Sequence, residues 1–262
     1  MSLFRSLGRS LVLANLFAAA GTELLVKRPA TREARADWLH RFAERAIRRL
    51  GIEIEVAGAF PEQGAVISNH LGYLDIPVFA SLHPCVFVSK AEIQSVPVLG
   101  WMTKMAGTVY VERGAGGSAE RAASGMRAAS DAGLPVVFFP EGTTTNGSEM
   151  LKFHSGLLAE ALEADEPITA AHLRYSLGPG NDPRMTVADD VCYWGDAKML
   201  PHIFRLLGLK GIRAEVRFAA APITFSSEDR KRAAVEARDA VAALGQAAEI
   251  TAGPQSAPQF GG

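Results

Sequence analysis

Cysteine is scarce: Cys85 and Cys192 are the only two in 262 residues, and neither has a partner at metal-ligand spacing. A disulfide-rich scaffold and a zinc ribbon are therefore excluded. A single bridge between the two stays open, but a reducing compartment is the better fit. The chain also lacks net charge, at −1, so nothing global draws it to nucleic acid. It lacks an uninterrupted apolar run of the roughly 20 residues that span a bilayer. The nearest approach, Leu11–Val26, is broken by Asn15, Thr22 and Glu23. No Gly-x-Ser-x-Gly occurs, which removes the serine nucleophile elbow. There is no internal repeat and no sign of a second folded domain.

The chain is 48% hydrophobic and 21% charged, which suits one domain with a sizeable core. Its charge is unevenly placed. Residues 1–50 hold ten Lys/Arg against four Asp/Glu, a net of +6, and the remainder is acidic. A basic arm on an acidic body predicts an anionic partner, for which a membrane surface is the natural choice. A basic start, the apolar middle and Ala18-Ala19-Ala20 imitate a signal peptide, but the apolar pattern resumes at Leu24-Leu25-Val26, beyond any cleavage point. From Arg35 to Leu50 the spacing predicts a basic amphipathic helix. Leu39, Phe42, Ala43, Ala46, Ile47 and Leu50 share one face, arginines the other, and Gly51 ends it. We expect both segments to lie in a headgroup layer, against the alternative that the apolar face packs on the domain.

After Gly51, strand-like and helix-like runs alternate. Strands are predicted at 52–56, 65–68, 86–89, 109–112, 135–139, 168–175, 191–194 and 212–218. Helices are predicted at 76–82, 118–130, 154–163, 198–207 and from about 228 to 244, the last capped by Ser227. This is an α/β domain with a central mixed sheet flanked by helices. The domains read as a two-helix membrane-docking arm (1–50), a body (51–250) and a flexible tail (251–262).

Three strings carry chemistry. In Ser68-Asn69-His70-Leu-Gly-Tyr-Leu-Asp75 a histidine just past a strand precedes a carboxylate by five residues. Imidazole can accept a proton near neutrality, and a carboxylate on its other nitrogen fixes the tautomer. In Gly107-Thr-Val-Tyr-Val-Glu-Arg113 an arginine at a strand end can fork an anion. In Phe138-Phe139-Pro140-Glu141-Gly142-Thr143 a glutamate and a backbone-permissive glycine stand at the sheet edge. Gly114–Ala119 imitates a dinucleotide fingerprint, but Glu112-Arg113 separates it from the strand and Asp131 is misplaced, so nucleotide binding is not expected.

Together, in this order, these strings resemble the glycerolipid acyltransferase family of the lysophosphatidate type, whose blocks read Asn-His-x4-Asp, Gly-x-Val-Tyr-Val-x-Arg and Phe-Pro-Glu-Gly-Thr. Val88-Ser-Lys90-Ala-Glu92 is similar to that family's lysine segment, and the resemblance covers roughly residues 50–225. A fourth block keeps Pro167 but has Ala171 where a second proline is expected. Thr144 stands where many lysophosphatidate-specific members carry a basic residue. With Trp194-Gly195-Asp196 and Leu200-Pro201-His202, this looks more like the branch that completes ornithine lipids.

The resemblance implies acyl transfer from a thioester, acyl-CoA or acyl-ACP (acyl carrier protein), to a lysolipid hydroxyl on the cytoplasmic face of a membrane. His70 is then the base and Asp75 its orienter, while Arg113, Glu141, Gly142 and Thr143 hold the acceptor. Lys104 or a backbone amide would steady the oxyanion, with Asn69 in support. No metal or cofactor is expected, and His154 and His202 are expected to be structural or loop residues. The competing class is a non-catalytic membrane-binding module.

Overall fold

The computed structural model describes residues 2–96, 99–111, 118–163, 166–227 and 229–252. Two helices lead, α1 (Leu3–Lys27) and α2 (Arg32–Leu50), capped by the hydroxyls of Ser2 and Thr31. Gly51 ends α2 at φ 67°, a left-handed turn that glycine adopts without Cβ strain. Then come β1 (Ile52–Ala57), β2 (Ala65–Ile67), α3 (Asp75–Leu82), β3 (Val86–Lys90), a 3-10 turn (Ala91–Ser95), α4 (Leu99–Met105) and β4 (Val109–Val111). The chain continues with α5 (Ser118–Ser130), β5 (Val136–Phe138), α6 (Ser155–Glu163), β6 (Ile168–Leu177), α7 (Val187–Asp190), α8 (Met199–Leu207), β7 (Ile212–Phe218) and α9 (Arg230–Ala252).

The seven strands form one sheet in the order β1-β7-β6-β2-β5-β3-β4. All neighbours are parallel except β6 and β7, so the sheet is mixed. The inner strands are continuous apolar runs because both sheet faces are covered. Alternate residues serve opposite faces. Val66, Val137 and Ala171 join the core beneath α2, α3 and α8, while Ala65, Ile67, Val136, Phe138 and Ala170 join the core beneath α5, α6 and α9. The strand β6 is longer than β2 and overhangs it at the edge where β2, β5 and β3 end. That overhang is what the site is built against.

The sequence expectations need four adjustments here. The run 191–194 is not a strand. Thr186 instead caps the short helix α7, and Tyr193 N–H donates one hydrogen bond to Leu71 O at 2.8 Å. The helix α4 was not anticipated, being too short to show a period. Asp229 rather than Ser227 accepts the first amides of α9, from Lys231 and Arg232. Finally, the apolar face of α2 is covered by protein. Ala43, Ile47 and Leu50 enter the main core, and Trp38 and Phe42 pack with Ala20, Leu24, Met102 and Ala106. Periodicity shows that a face is apolar without showing what covers it.

The helix α1 is different. Its exposed large apolar residues, Leu3, Phe4, Leu7, Leu11, Leu25 and Val26, fall on one face at helical period. Arg5, Arg9 and Glu23 turn toward the rest of the chain, while Lys27 stays exposed at its end. Arg5 and Arg9 donate to the carbonyls of Gly208 and Leu209 just past α8, at 3.2 and 2.7 Å. Glu23 gathers Lys27, Arg41 and Arg45 at 3.0–3.3 Å. With Arg5, Arg9 and Glu23 inward and large apolar groups outward, most of α1 is arranged opposite to a water-facing helix. By length and composition it is long and apolar enough to cross a membrane.

Candidate active site

The site begins where β2 stops. Asn69 follows it and is nearly buried; its amide donates to Leu173 O and accepts from Leu173 N–H, at 2.9 and 2.8 Å. The side chain thus continues the ladder to β6 after the backbone has turned away, and both its groups are occupied. Asn69 therefore supports the turn.

The turn it releases presents His70. The Nδ1 of His70 is 2.7 Å from Asp75 Oδ2. That oxygen also accepts from the amides of Leu71 and Gly72, at 2.7 and 3.0 Å, and Oδ1 accepts from Tyr175 OH at 2.8 Å. Asp75 is fully buried in the first turn of α3, where the helix dipole favours a negative charge. Four donors on one carboxylate fix its position, and it in turn fixes the imidazole. The His70 ring stacks on Phe139, with centroids 4.1 Å apart and planes 9° apart. Its side chain keeps 19% exposure. Nδ1 is committed to Asp75, so Nε2 is the nitrogen left for chemistry.

Glu141 has a different task from the one expected. It is 2% exposed, Oε1 accepts from His70 N–H, and Oε2 accepts from Leu151 N–H, both at 2.8 Å. Thr145 N–H closes the same loop onto His70 O at 2.9 Å. Glu141 therefore staples the His70 backbone to the loop that follows β5, and does not offer its carboxylate to an acceptor. Gly142 turns the chain beside it at φ 64°, and Thr143 is exposed one step further.

Burial raises the Glu141 pKa, only partly offset by the Leu151 and His70 amides. The folded chain thus keeps that proton to higher pH than the unfolded one. Stability falls as pH climbs from about 4.3 through the raised value. Glu141→Gln turns a donor toward one of the two amides and should cost about 1–3 kcal/mol at acid pH. The gap to wild type should narrow by pH 7 in urea unfolding. A gap that widens with pH would reverse the assignment.

Lys104 is not brought to the site. It is exposed near the end of α4, which leads into the start of β4, while His70 stands at the finishing end of β2. Arg113 and residues 114–117 of the glycine-rich string lie outside the described residues, as does the tail from 253, while Ser118 and Ala119 open α5. Reading the sequence missed two members. Tyr175, 100 residues from Asp75, sits on the inward alternation of β6 with Leu173, a signal that was present but read only as core. Phe139 was seen as strand and serves as the stacking floor of His70.

Residues 51–173 match the acyltransferase family model. A lyso-ornithine lipid O-acyltransferase from Pseudomonas aeruginosa is 34% identical over 200 residues, covering 73% of this chain and 72% of that one. The chain belongs to the acyltransferase family. A 1-acyl-sn-glycerol-3-phosphate acyltransferase from Neisseria gonorrhoeae is 32% identical over 192 residues, covering 71% of each. The crystal structure of the Thermotoga maritima 1-acyl-sn-glycerophosphate acyltransferase PlsC shares the fold. It superposes with a TM-score of 0.68 over 97% of this chain and 98% of that one, at 17% identity.

Proposed function

We propose that this acyltransferase moves a fatty acyl group from an acyl thioester, on coenzyme A or acyl carrier protein, to the hydroxyl of a lysolipid. The observation that carries the reading is the His70–Asp75 pair, with Nδ1 held at 2.7 Å and Nε2 left over. His70 Nε2 takes the hydroxyl proton as that oxygen bonds to the thioester carbonyl carbon. The tetrahedral intermediate then breaks its C–S bond, and the imidazolium returns the proton to the departing thiolate. Asp75 stabilises the imidazolium between the two steps. No metal or cofactor is required. Gly142, Thr143 and Arg113 are kept as the acceptor-side candidates.

The family resemblance puts a lysophosphatidate-type acceptor first. Thr144, where a basic residue would pair with a phosphate, favours lyso-ornithine lipid as the second reading. The test is thiol release in mixed micelles with an acyl thioester and each lysolipid in parallel. Release with either acceptor is expected; none with either, on both thioester carriers, would leave the non-catalytic module.

The outward apolar face of α1 supports docking into a membrane with anionic lipid. The thioester pools are cytoplasmic, so the cytoplasmic face follows. Phe4→Ser with Leu11→Ser should weaken vesicle binding at least about 10-fold, because each side chain buries about 1.5–3 kcal/mol of apolar surface. Unchanged binding in flotation would remove α1 from the interface. Added salt should also weaken binding to anionic vesicles, since Lys27, Arg41 and Arg45 share the single carboxylate of Glu23 and Arg5 and Arg9 donate only to neutral carbonyls, leaving residues 1–50 with their net positive charge.

A further inference from the structure

His70 is gripped by its backbone as well as by its ring. Glu141 Oε1 accepts from His70 N–H at 2.8 Å, and Thr145 N–H donates to His70 O at 2.9 Å, so the loop after β5 clasps both polar groups of one residue. Such a clasp holds a position only as firmly as its own far end is held. That end is the segment 150–154. Phe153 is buried in the core that α9 lines with Ala234, Ala237 and Val241, and His154 N–H donates back to Pro140 O at 2.8 Å. Arg238 follows Ala237 at the edge of this buried helix face and reaches the loop. Its Nη2 donates to Met150 O at 2.8 Å and its Nε to Leu151 O at 3.1 Å. These two N–H groups project from the same edge of the planar guanidinium, so one rigid fork holds two successive carbonyls.

The Met150 carbonyl and the Leu151 N–H belong to one peptide group. Its oxygen faces Arg238, and its N–H donates to Glu141 Oε2 at 2.8 Å. A cation at the oxygen end polarises the peptide and strengthens its N–H as a donor. The contacts therefore run from Arg238 through one peptide to Glu141 and on to His70 N–H, with each of the three hydrogen bonds at 2.8 Å. Among the described residues the one ion pair of Arg238 is with its chain neighbour Asp239, at 3.6 Å, and Asp239 is mostly exposed. A pair of that kind is weak and does not draw the guanidinium from the loop.

We infer that Arg238 is a positioning residue for the acyl-transfer step: through the 150–151 peptide and Glu141 it holds the His70 backbone at the place from which Nε2 meets the acceptor hydroxyl. The inference rests on the acyl-transfer reading and adds to it a residue from the last helix. Asp75 fixes the direction of the imidazole, and the Arg238 chain fixes the Cα from which the imidazole hangs. A plain staple between α9 and the loop would need only the two carbonyls. The shared peptide makes Glu141 and Arg238 parts of one unit, so their effects on turnover cannot be independent.

The test is Arg238→Met, which keeps the apolar stem and removes the donors, beside Arg238→Lys, whose ammonium can still reach one carbonyl. Thiol release is measured with lysophosphatidate and with lyso-ornithine lipid. Arg238→Met should lower kcat about 10- to 100-fold, the scale of a misplacement near 1 Å, with KM for the lysolipid within about twofold of wild type. Arg238→Lys should bring kcat back to within about fivefold of wild type. With Glu141→Gln already in place, Arg238→Met should cost less than about threefold more. Losses that multiply, or a KM that rises while kcat holds, would overturn the assignment. A second readout needs no turnover. In amide hydrogen exchange the His70 and Leu151 N–H groups should exchange at least about tenfold faster in Arg238→Met, while Leu173 N–H, held by Asn69, should not change. Unchanged rates at His70 and Leu151, or rates that rise at Leu173 as well, would overturn it even if kcat falls. If wild type releases no thiol with either lysolipid, the acyl-transfer reading falls, and the exchange rates still decide whether Arg238 governs the turn.

Discussion

His70→Ala should lower turnover about 10²–10⁴-fold, the range that a positioned general base supplies. The fold should survive. The ring is partly exposed and its loss removes one stacked contact with Phe139, worth about 0.5–1.5 kcal/mol. Asp75 keeps three of its four donors, from Leu71, Gly72 and Tyr175, so its buried charge is not stranded. KM for the lysolipid should change little, because the base acts on the hydroxyl proton in the transition state and contributes little to ground-state binding. The measurement is single-turnover thiol release beside a urea unfolding curve. Turnover within about fivefold of wild type, with an unchanged midpoint, would move the base elsewhere.

The reading of this site from sequence succeeded where chemistry is local. His70, Asp75 and Glu141 stand in short strings at strand ends, and the structure joins them through bonds spanning 5 and 71 residues. The strand 212–218 and the helix 118–130 were placed to the residue, because alternation and helical period are one-dimensional signals. What failed was information that no short window contains. The run Val191-Cys-Tyr-Trp194 has strand-forming residues, yet Thr186 caps a helix just before it and the Tyr193 N–H goes to the Leu71 carbonyl of the catalytic turn instead of to a strand. The face of α2 is as apolar as a membrane-lying helix requires, but α3 and α4 cover it. In α1 the decisive feature is which way the charges point, and that is set by the carbonyls after α8, some 200 residues away. Glu141 was legible as important and misread in role, because a carboxylate facing two amides and one facing a ligand look alike in sequence.

Asp75→Asn should cost both activity and stability, and the two losses have separate causes. An asparagine can keep one acceptor oxygen but must turn an NH₂ group toward the remaining donors. If its oxygen takes the place of Oδ2, the NH₂ meets Tyr175 OH, which can rotate and accept. The His70 ring is then held by a neutral acceptor and the imidazolium loses its counter-charge. If the amide is reversed, the NH₂ meets the amides of Leu71 and Gly72 and forces Nδ1 to become an acceptor, which places the proton on Nε2 and disables the base. Both arrangements lower turnover, by about 10²–10⁴-fold. The buried carboxylate's charge-assisted bonds are also lost, at about 2–4 kcal/mol in total. Tyr175→Phe separates the two effects. It removes one bond to Asp75 without touching His70, so it should cost about 1 kcal/mol of stability and less than about tenfold in turnover. Full activity in Asp75→Asn would sink the base–orienter pair; a Tyr175→Phe loss as large as that of Asp75→Asn would mean that stability, and not tautomer control, is what Asp75 provides.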